Sequence, residues 1–275
     1  MTAVLFGLLS AVANAVGGEL SKGLTLRFPA RQLIGPLFFL NALLVVPAAP
    51  FVEWTWSAEI VVLHLVSVAL LVVTSLAIWD LYDHGSAAAT VTAQSISPLP
   101  AAMAVAVLLP GILEPAQVLA AIVVVLAVLL GLSNAFGALS RRRSMLTVLV
   151  AAVGTGLVTV MGRLLADRDV GVVEAYLVRA GLAAIVCSLL VPPRDVPLPA
   201  LPGMLPRAAF ITAHFLLILI GVQDGNPAVV QTAVATAPLW SLGIQAVVTR
   251  RRPSWRLMGA AVLATLGVAV ILLAG

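Results

Sequence analysis

Several apolar runs of this chain carry polar side chains at helical spacing, where a small solute could be held. Between residues 86 and 109, Thr90, Gln94 and Ser97 recur at i, i+4 and i+7 and share one helix face. Thr232 and Thr236 lie one turn apart between residues 227 and 248. A third stripe consists of Asn14, Gly18 and Lys22, and a fourth of Thr155, Thr159 and Arg163. His64 and Thr74 belong to the run 59–79, and His214 to the run 206–222. These hydroxyls, amides and imidazoles can exchange hydrogen bonds with a polar molecule, and an imidazole can also relay a proton near neutral pH. The cations at the ends of two stripes either attract an anionic group or snorkel to the interface. No residue is expected to be catalytic. The sequence has no Cys/His cluster at metal-ligand spacing, no glycine-rich phosphate loop and no nucleophile elbow. It implies neither a metal nor a cofactor, and its single cysteine, Cys187, reads as a small buried residue.

Prolines interrupt two of these stripes. Pro98 cannot donate to the carbonyl of Gln94, nor Pro100 to that of Ile96, nor Pro238 to that of Val234. A proline inside a helix costs about 3 kcal/mol, and a freed carbonyl in hydrocarbon adds to it. Such breaks are tolerable where protein covers them or where they line a watery cavity. The three prolines are therefore expected to act as helix breaks or hinges beside a site.

The elements that must position these residues follow from composition. Of 275 residues, 62% are hydrophobic and 9% charged, and the mean hydropathy is +1.16. Lipid is the solvent that matches such a chain. About 20 apolar residues cross a bilayer as a helix. Ten such windows fit, at about 3–21, 32–50, 59–79, 86–109, 114–133, 145–165, 171–191, 206–222, 227–248 and 255–274. The first reads as a membrane span and not as a cleaved signal, because it lacks a basic leader and its Lys follows the apolar run. Trp79 and Tyr82, at the end of the third window, read as interfacial anchors.

The formal charge of +4 does not point to nucleic acid, because the basic residues alternate between loops. Lys22, Arg27, Arg31, Arg141, Arg142, Arg143, Arg194, Arg207, Arg250, Arg251, Arg252 and Arg256 fall in odd-numbered loops. Arg163 and Arg168 fall in even ones. The positive-inside rule puts the odd loops in the cytoplasm and both termini outside. Arg179 stands apart, inside the seventh window, where an arginine costs about 2.5–3.5 kcal/mol and needs a partner or water. A structural role is expected for it, through bonds to helix-end carbonyls or to an acidic group elsewhere in the bundle.

A shift of 140 residues lays "GSAAATVTAQSISPL" on "GNPAVVQTAVATAPL", matching Gly85 with Gly225, Thr92 with Thr232 and Pro98 with Pro238. One residue more lays Asn14, Gly18 and Lys22 on Thr155, Thr159 and Arg163. The expected fold is an all-α integral membrane protein of ten transmembrane helices. They form two inverted five-helix repeats, 1–140 and 145–275, in one integrated domain. An odd number of spans per repeat turns the second copy over in the membrane, and this arrangement suits alternating access.

The fourth and ninth windows, "TAQSISPLPAAMAVAVLLP" and "TAVATAPLWSLGIQAVV", and the closing "RPSWRLMGAAVLATLGVAVILLAG" resemble the EamA-like branch of the drug/metabolite transporter superfamily. "VEAYLVRAGLAAIV" resembles that family's stretch with an Arg early in the second helix of a repeat, and Arg179 holds that place. "IGPLFFLNALLVV" in the first half has no such Arg, and "TRRRPSW" stands where relatives carry a Glu. The resemblance implies an inner-membrane carrier, often an exporter of amino acids or other small metabolites. It also implies a cavity lined by helices 1, 3 and 4 and by 6, 8 and 9, with 5 and 10 peripheral.

The expected function is thus secondary transport, most readily export, of a small polar or amphipathic metabolite, without enzymatic chemistry. The expected partners are the bilayer and the small-molecule substrate, with no nucleic acid, and either a monomer or a homodimer fits. Two alternatives stand beside it: a flippase for a lipid-linked sugar, and a non-transporting subunit that stabilises a partner.

Overall fold

The computed structural model describes residues 1–84, 90, 94–131, 142–250 and 255–274, and all regular structure among them is helical. In order, the helices are α1 (Thr2–Thr25), α2 (Ile34–Val45), α3 (Ala58–His84), α4 (Pro98–Leu108), α5 (Pro115–Gly131), α6 (Arg142–Ala166), α7 (Val172–Leu190), α8 (Leu201–Gln223), α9 (Pro227–Val234), α10 (Ala237–Thr249) and α11 (Trp255–Ala274). Helices are what this composition permits, because hydrocarbon offers no partner to an unpaired backbone group. Among the described residues, seven stretches are long and apolar enough to cross a membrane: 2–25, 30–51, 58–83, 145–166, 172–190, 198–223 and 227–244. The chain is an integral membrane protein. α4 and α5 are shorter apolar helices.

Lipid-facing and inward faces are both apolar, so polarity does not separate them. On α3, Val62, Leu65 and Val73 are exposed, while Val68, Leu71 and Val72 are buried. α1 packs mainly on α8, α3 on α6, α2 on α7 and α5 on α11, while α4 packs on both α6 and α9. α1 also meets α9, and α6 meets α4. At both of these crossings a glycine allows backbone contact. A Cβ on Gly7 would lie 2.9 Å from the carbonyl oxygen of Val230, and one on Gly156 would lie 2.8 Å from that of Ser97.

Pro98, Pro100 and Pro238 do not interrupt helices. Thr90 and Gln94 are helical, Ser95 to Ser97 form a turn, and Pro98 opens α4 with Pro100 in its first turn. In the ninth window the chain breaks at Ala235 and Thr236, and Pro238 lies in the first turn of α10. The first turn is where a missing N–H costs little. Tighter bonds take up the carbonyls: Ser97 N–H donates to Gln94 at 3.1 Å and Leu99 N–H to Ile96 at 3.2 Å. The three prolines lie in the first turns of two new helices and do not damage an existing one.

Loop contacts fall into two groups. Arg31 pairs with Asp80 at the far end of α3, and Gln32 exchanges two 2.8 Å bonds with Asp195. At the opposite ends of the helices, Arg168 pairs with Glu59, and this carboxylate holds the guanidinium above its ordinary range. The Asn226 amide bonds to the Ile112 carbonyl at 2.9 Å and to Gln117 at 2.7 Å.

Candidate functional site: a polar cavity inside the bundle

Two adjoining chambers lie within the helices, with cavity volumes of about 60 and about 50 Å³. This is room for a few waters, so the conformation is narrower than an occupied small-molecule site. They share the walls Asn14 of α1, Ser75 and Ile78 of α3, Gln94, and His214 and Phe215 of α8. The first continues past Ser21 and Asn41 to Trp79, Tyr82 and Arg207. The second continues past Thr74, Thr155 and Thr159 to Arg179 of α7 and Gln231 of α9.

Each helix contributes its polar residue where the local packing leaves room. Asn14 is buried and donates from Nδ2 to Gln94 Oε1 at 3.2 Å, which ties α1 to the broken fourth segment. Across the two halves of the chain, Ser10 Oγ and His214 Nδ1 are bonded at 2.7 Å. Ser97 Oγ donates to Gln231 Oε1 at 2.8 Å, and Gln231 Nε2 donates to Thr159 Oγ1. Gln231 thereby joins the first break to α6 through one bond at each end of its amide. Arg207 Nε donates to Ser21 Oγ at 3.0 Å, and its guanidinium stacks over Trp79, 5.3 Å from the ring centroid.

The structure gathers only part of the expected set. Asn14, Thr74, Gln94, Thr155, Thr159 and His214 line the chambers. Thr74, Thr155 and Thr159 also donate back to the carbonyls of Leu70, Ala151 and Thr155 on their own helices. Ser97 acts through Gln231. Thr90 is buried but is not among the lining residues. Thr232 and Thr236 are also buried away from the lining, and their hydroxyls donate back to Ala228 and Ala233. Arg163 is spent at a helix end, on the carbonyls of Val222 and Gln223 and on Asp167 at 2.8 Å. His64 is buried and is not among the lining residues, and neither ring nitrogen is hydrogen-bonded.

Three placements differ from expectation. Trp79 and Tyr82 are not anchors at the lipid surface. Trp79 is buried, packs its ring 5.4 Å from that of Tyr82 and covers Arg207. Arg207 is not a loop residue, because α8 starts at Leu201 and carries Arg207 to the chamber wall. Arg179 lacks the bonds expected of it: its Nε and Nη2 are buried without a hydrogen-bond partner. Sequence reasoning missed Gln231, Ser10 and Arg207. Gln231 could have been found, because it lies five residues before Thr236 in a run already marked by its threonines and proline. The helices α2 and α7 also contribute wall, through Asn41 and Arg179, beyond the six expected to do so.

A family model described as the EamA-like transporter family matches residues 142–273. Among solved structures, a crystal structure titled only as that of a protein superposes with a TM-score of 0.75 at 20% identity, covering 98% of this chain and 96% of its own. That likeness is one of fold, and it covers both halves of the chain. No curated protein matches the sequence.

Proposed function

Because residues 142–273 belong to the EamA-like transporter family, part of the drug/metabolite transporter superfamily, we propose that the chain is a secondary transporter. It moves a small polar metabolite by alternating access through the two chambers. The observation that carries this reading is a buried polar cavity at the point where two broken segments, α4 with its lead-in and α9–α10, meet through Ser97 and Gln231.

The packing supports two inverted halves, 1–140 and 145–275. Exchanging each element of one half for its counterpart turns α1 on α8 into α6 on α3, and α1 on α9 into α6 on α4, all of them close packings. The pairs α2 on α7 and α5 on α11 map onto themselves. Rocking one half against the other would then expose the chambers to opposite sides in turn. Such a motion has to exchange the bonds that cross between the halves, among them Ser10 with His214, Ser97 with Gln231 and Arg207 with Ser21.

Sidedness supports the same topology. Arg31 with Asp80 and Gln32 with Asp195 join odd-numbered loops or the helix ends beside them. Arg168 with Glu59 and Asn226 with Ile112 join even-numbered ones. The odd face carries most of the positive charge and belongs in the cytoplasm, with both termini outside. Residence in the cytoplasmic membrane and export are the location and direction that the family resemblance implies.

Purified protein in liposomes, assayed by counterflow over a panel of small polar solutes, tests the proposal. Saturable accumulation of at least one solute is expected. A monodisperse, folded preparation that moves none of them would overturn the reading.

A further inference from the structure

Two guanidiniums stand at opposite ends of the adjoining chambers, Arg207 in the first and Arg179 in the second. Among the described residues that line either chamber there is no aspartate or glutamate. Arg179 is the more exacting case. Its side chain is 3% exposed, and neither Nε nor Nη2 meets an acceptor. Among the described residues no carboxylate pairs with it. The nearest acid on its own helix, Glu174, instead accepts from the Thr55 N–H at 3.1 Å. The head of Arg179 lies across α6 at Gly162, where a Cβ would stand 3.9 Å from Nη2. The neighbours closer to that position, Leu219 and Val222 of α8, are apolar and offer no acceptor from their side chains.

A buried cation without an acceptor is costly, because desolvation is not repaid by any partner. A guanidinium offers a planar fork of donors that matches a carboxylate or phosphate. Arg207 adds to the positive field. Its Nε is taken by Ser21 and one face is covered by Trp79. A zwitterion or a cation would bring an ammonium group into this space, with no acidic wall residue to receive it.

We infer that the transported substrate is a net anion, a small carboxylate or phosphate compound, and that Arg179 binds its anionic group. The inference rests on the transporter reading and narrows it. Arg207 faces the other end of the same path, so the anion passes from one guanidinium to the other as the chambers exchange access.

The test is counterflow with the full chain in liposomes, using a charge series: lactate, succinate, inorganic phosphate, serine, sorbitol and putrescine. Saturable flux confined to one or more of the three anions is expected. Arg179→Met should lower it at least tenfold, while Arg179→Lys, which keeps the charge but not the fork, should retain a measurable part. Elution and thermal unfolding in detergent check that both variants are folded. If Arg179→Met does not fold, the wild-type selectivity decides. Preference for serine, sorbitol or putrescine, or anion flux unchanged in a folded Arg179→Met, overturns the inference and leaves the transporter standing. Absence of flux for every member removes both. Flip-flop of a fluorescent anionic phospholipid, followed by dithionite quenching, separates a lipid headgroup from a free anion. Lipid movement without solute flux assigns the phosphate to the headgroup and overturns a soluble substrate.

Discussion

The Gln231 amide is the residue on which the interior depends most directly. It accepts from Ser97, donates to Thr159 and is fully buried. Gln231→Leu keeps most of the volume and leaves the Ser97 hydroxyl without its partner, while Thr159 still donates to the Thr155 carbonyl. Each buried unsatisfied group costs about 1–3 kcal/mol. The expected outcome is a clear fall in unfolding temperature in detergent and loss of most of the counterflow. Unchanged stability would mean that water or a rearranged side chain fills the place. His214 illustrates a different lesson. An imidazole inside an apolar run suggests substrate contact, and the structure does put it on the chamber wall, but its Nδ1 is already bonded to Ser10. His64 has unbonded nitrogens and is not part of the chamber lining. Residue type identified both, and only packing could tell which of them faces the cavity.

Among the elements, helix existence and the two interruptions were legible from apolar length and from proline. The form of the breaks was not. Sequence reading supposed helices running through Pro98 and Pro238 with carbonyls left free. In the structure each proline lies in the first turn of a new helix, and shorter-range bonds take up Gln94 and Ile96. Local spacing cannot distinguish a kink from a fresh start, because both leave the same gap in the i to i−4 ladder. The close approach that holds a break in place depends on Gly156, whose backbone rests against Ser97 and Ala101. Gly156→Val would push α6 away from the segment that carries Ser97. Overpacking of this kind costs about 1–3 kcal/mol, seen as a lower unfolding temperature. Gly23→Val, at a glycine with nothing within 4 Å of where a Cβ would sit, serves as the tolerated control.

For the whole molecule, the alternation of basic loops was the most informative pattern in the sequence, and the loop contacts divide along the same line. Single cysteines test it in a Cys187→Ser background. Arg194→Cys, on an exposed odd loop, should react with an impermeant maleimide only after the cytoplasmic face is opened. Glu114→Cys, on an exposed even loop, should react in intact cells. The reverse pattern would invert the topology. What composition could not reveal is which arginines leave the loops. Arg207 and Arg194 count equally toward sidedness, yet one reaches the chamber wall because α8 starts earlier than the apolar run does.

The acid-free walls between Arg179 and Arg207 have an electrical consequence. A carrier that takes up a net anion and returns nothing moves charge at every cycle. Across a membrane that is negative inside, each elementary charge leaving the cell is favoured by about 2.3 kcal/mol per 100 mV. Outward flux of an anion then needs no proton or sodium, because the resting potential supplies the work. Valinomycin-imposed potentials in the same liposomes should speed anion efflux when the interior is negative and slow it when the sign is reversed. Flux indifferent to voltage would mean that a counter-charge travels with the substrate.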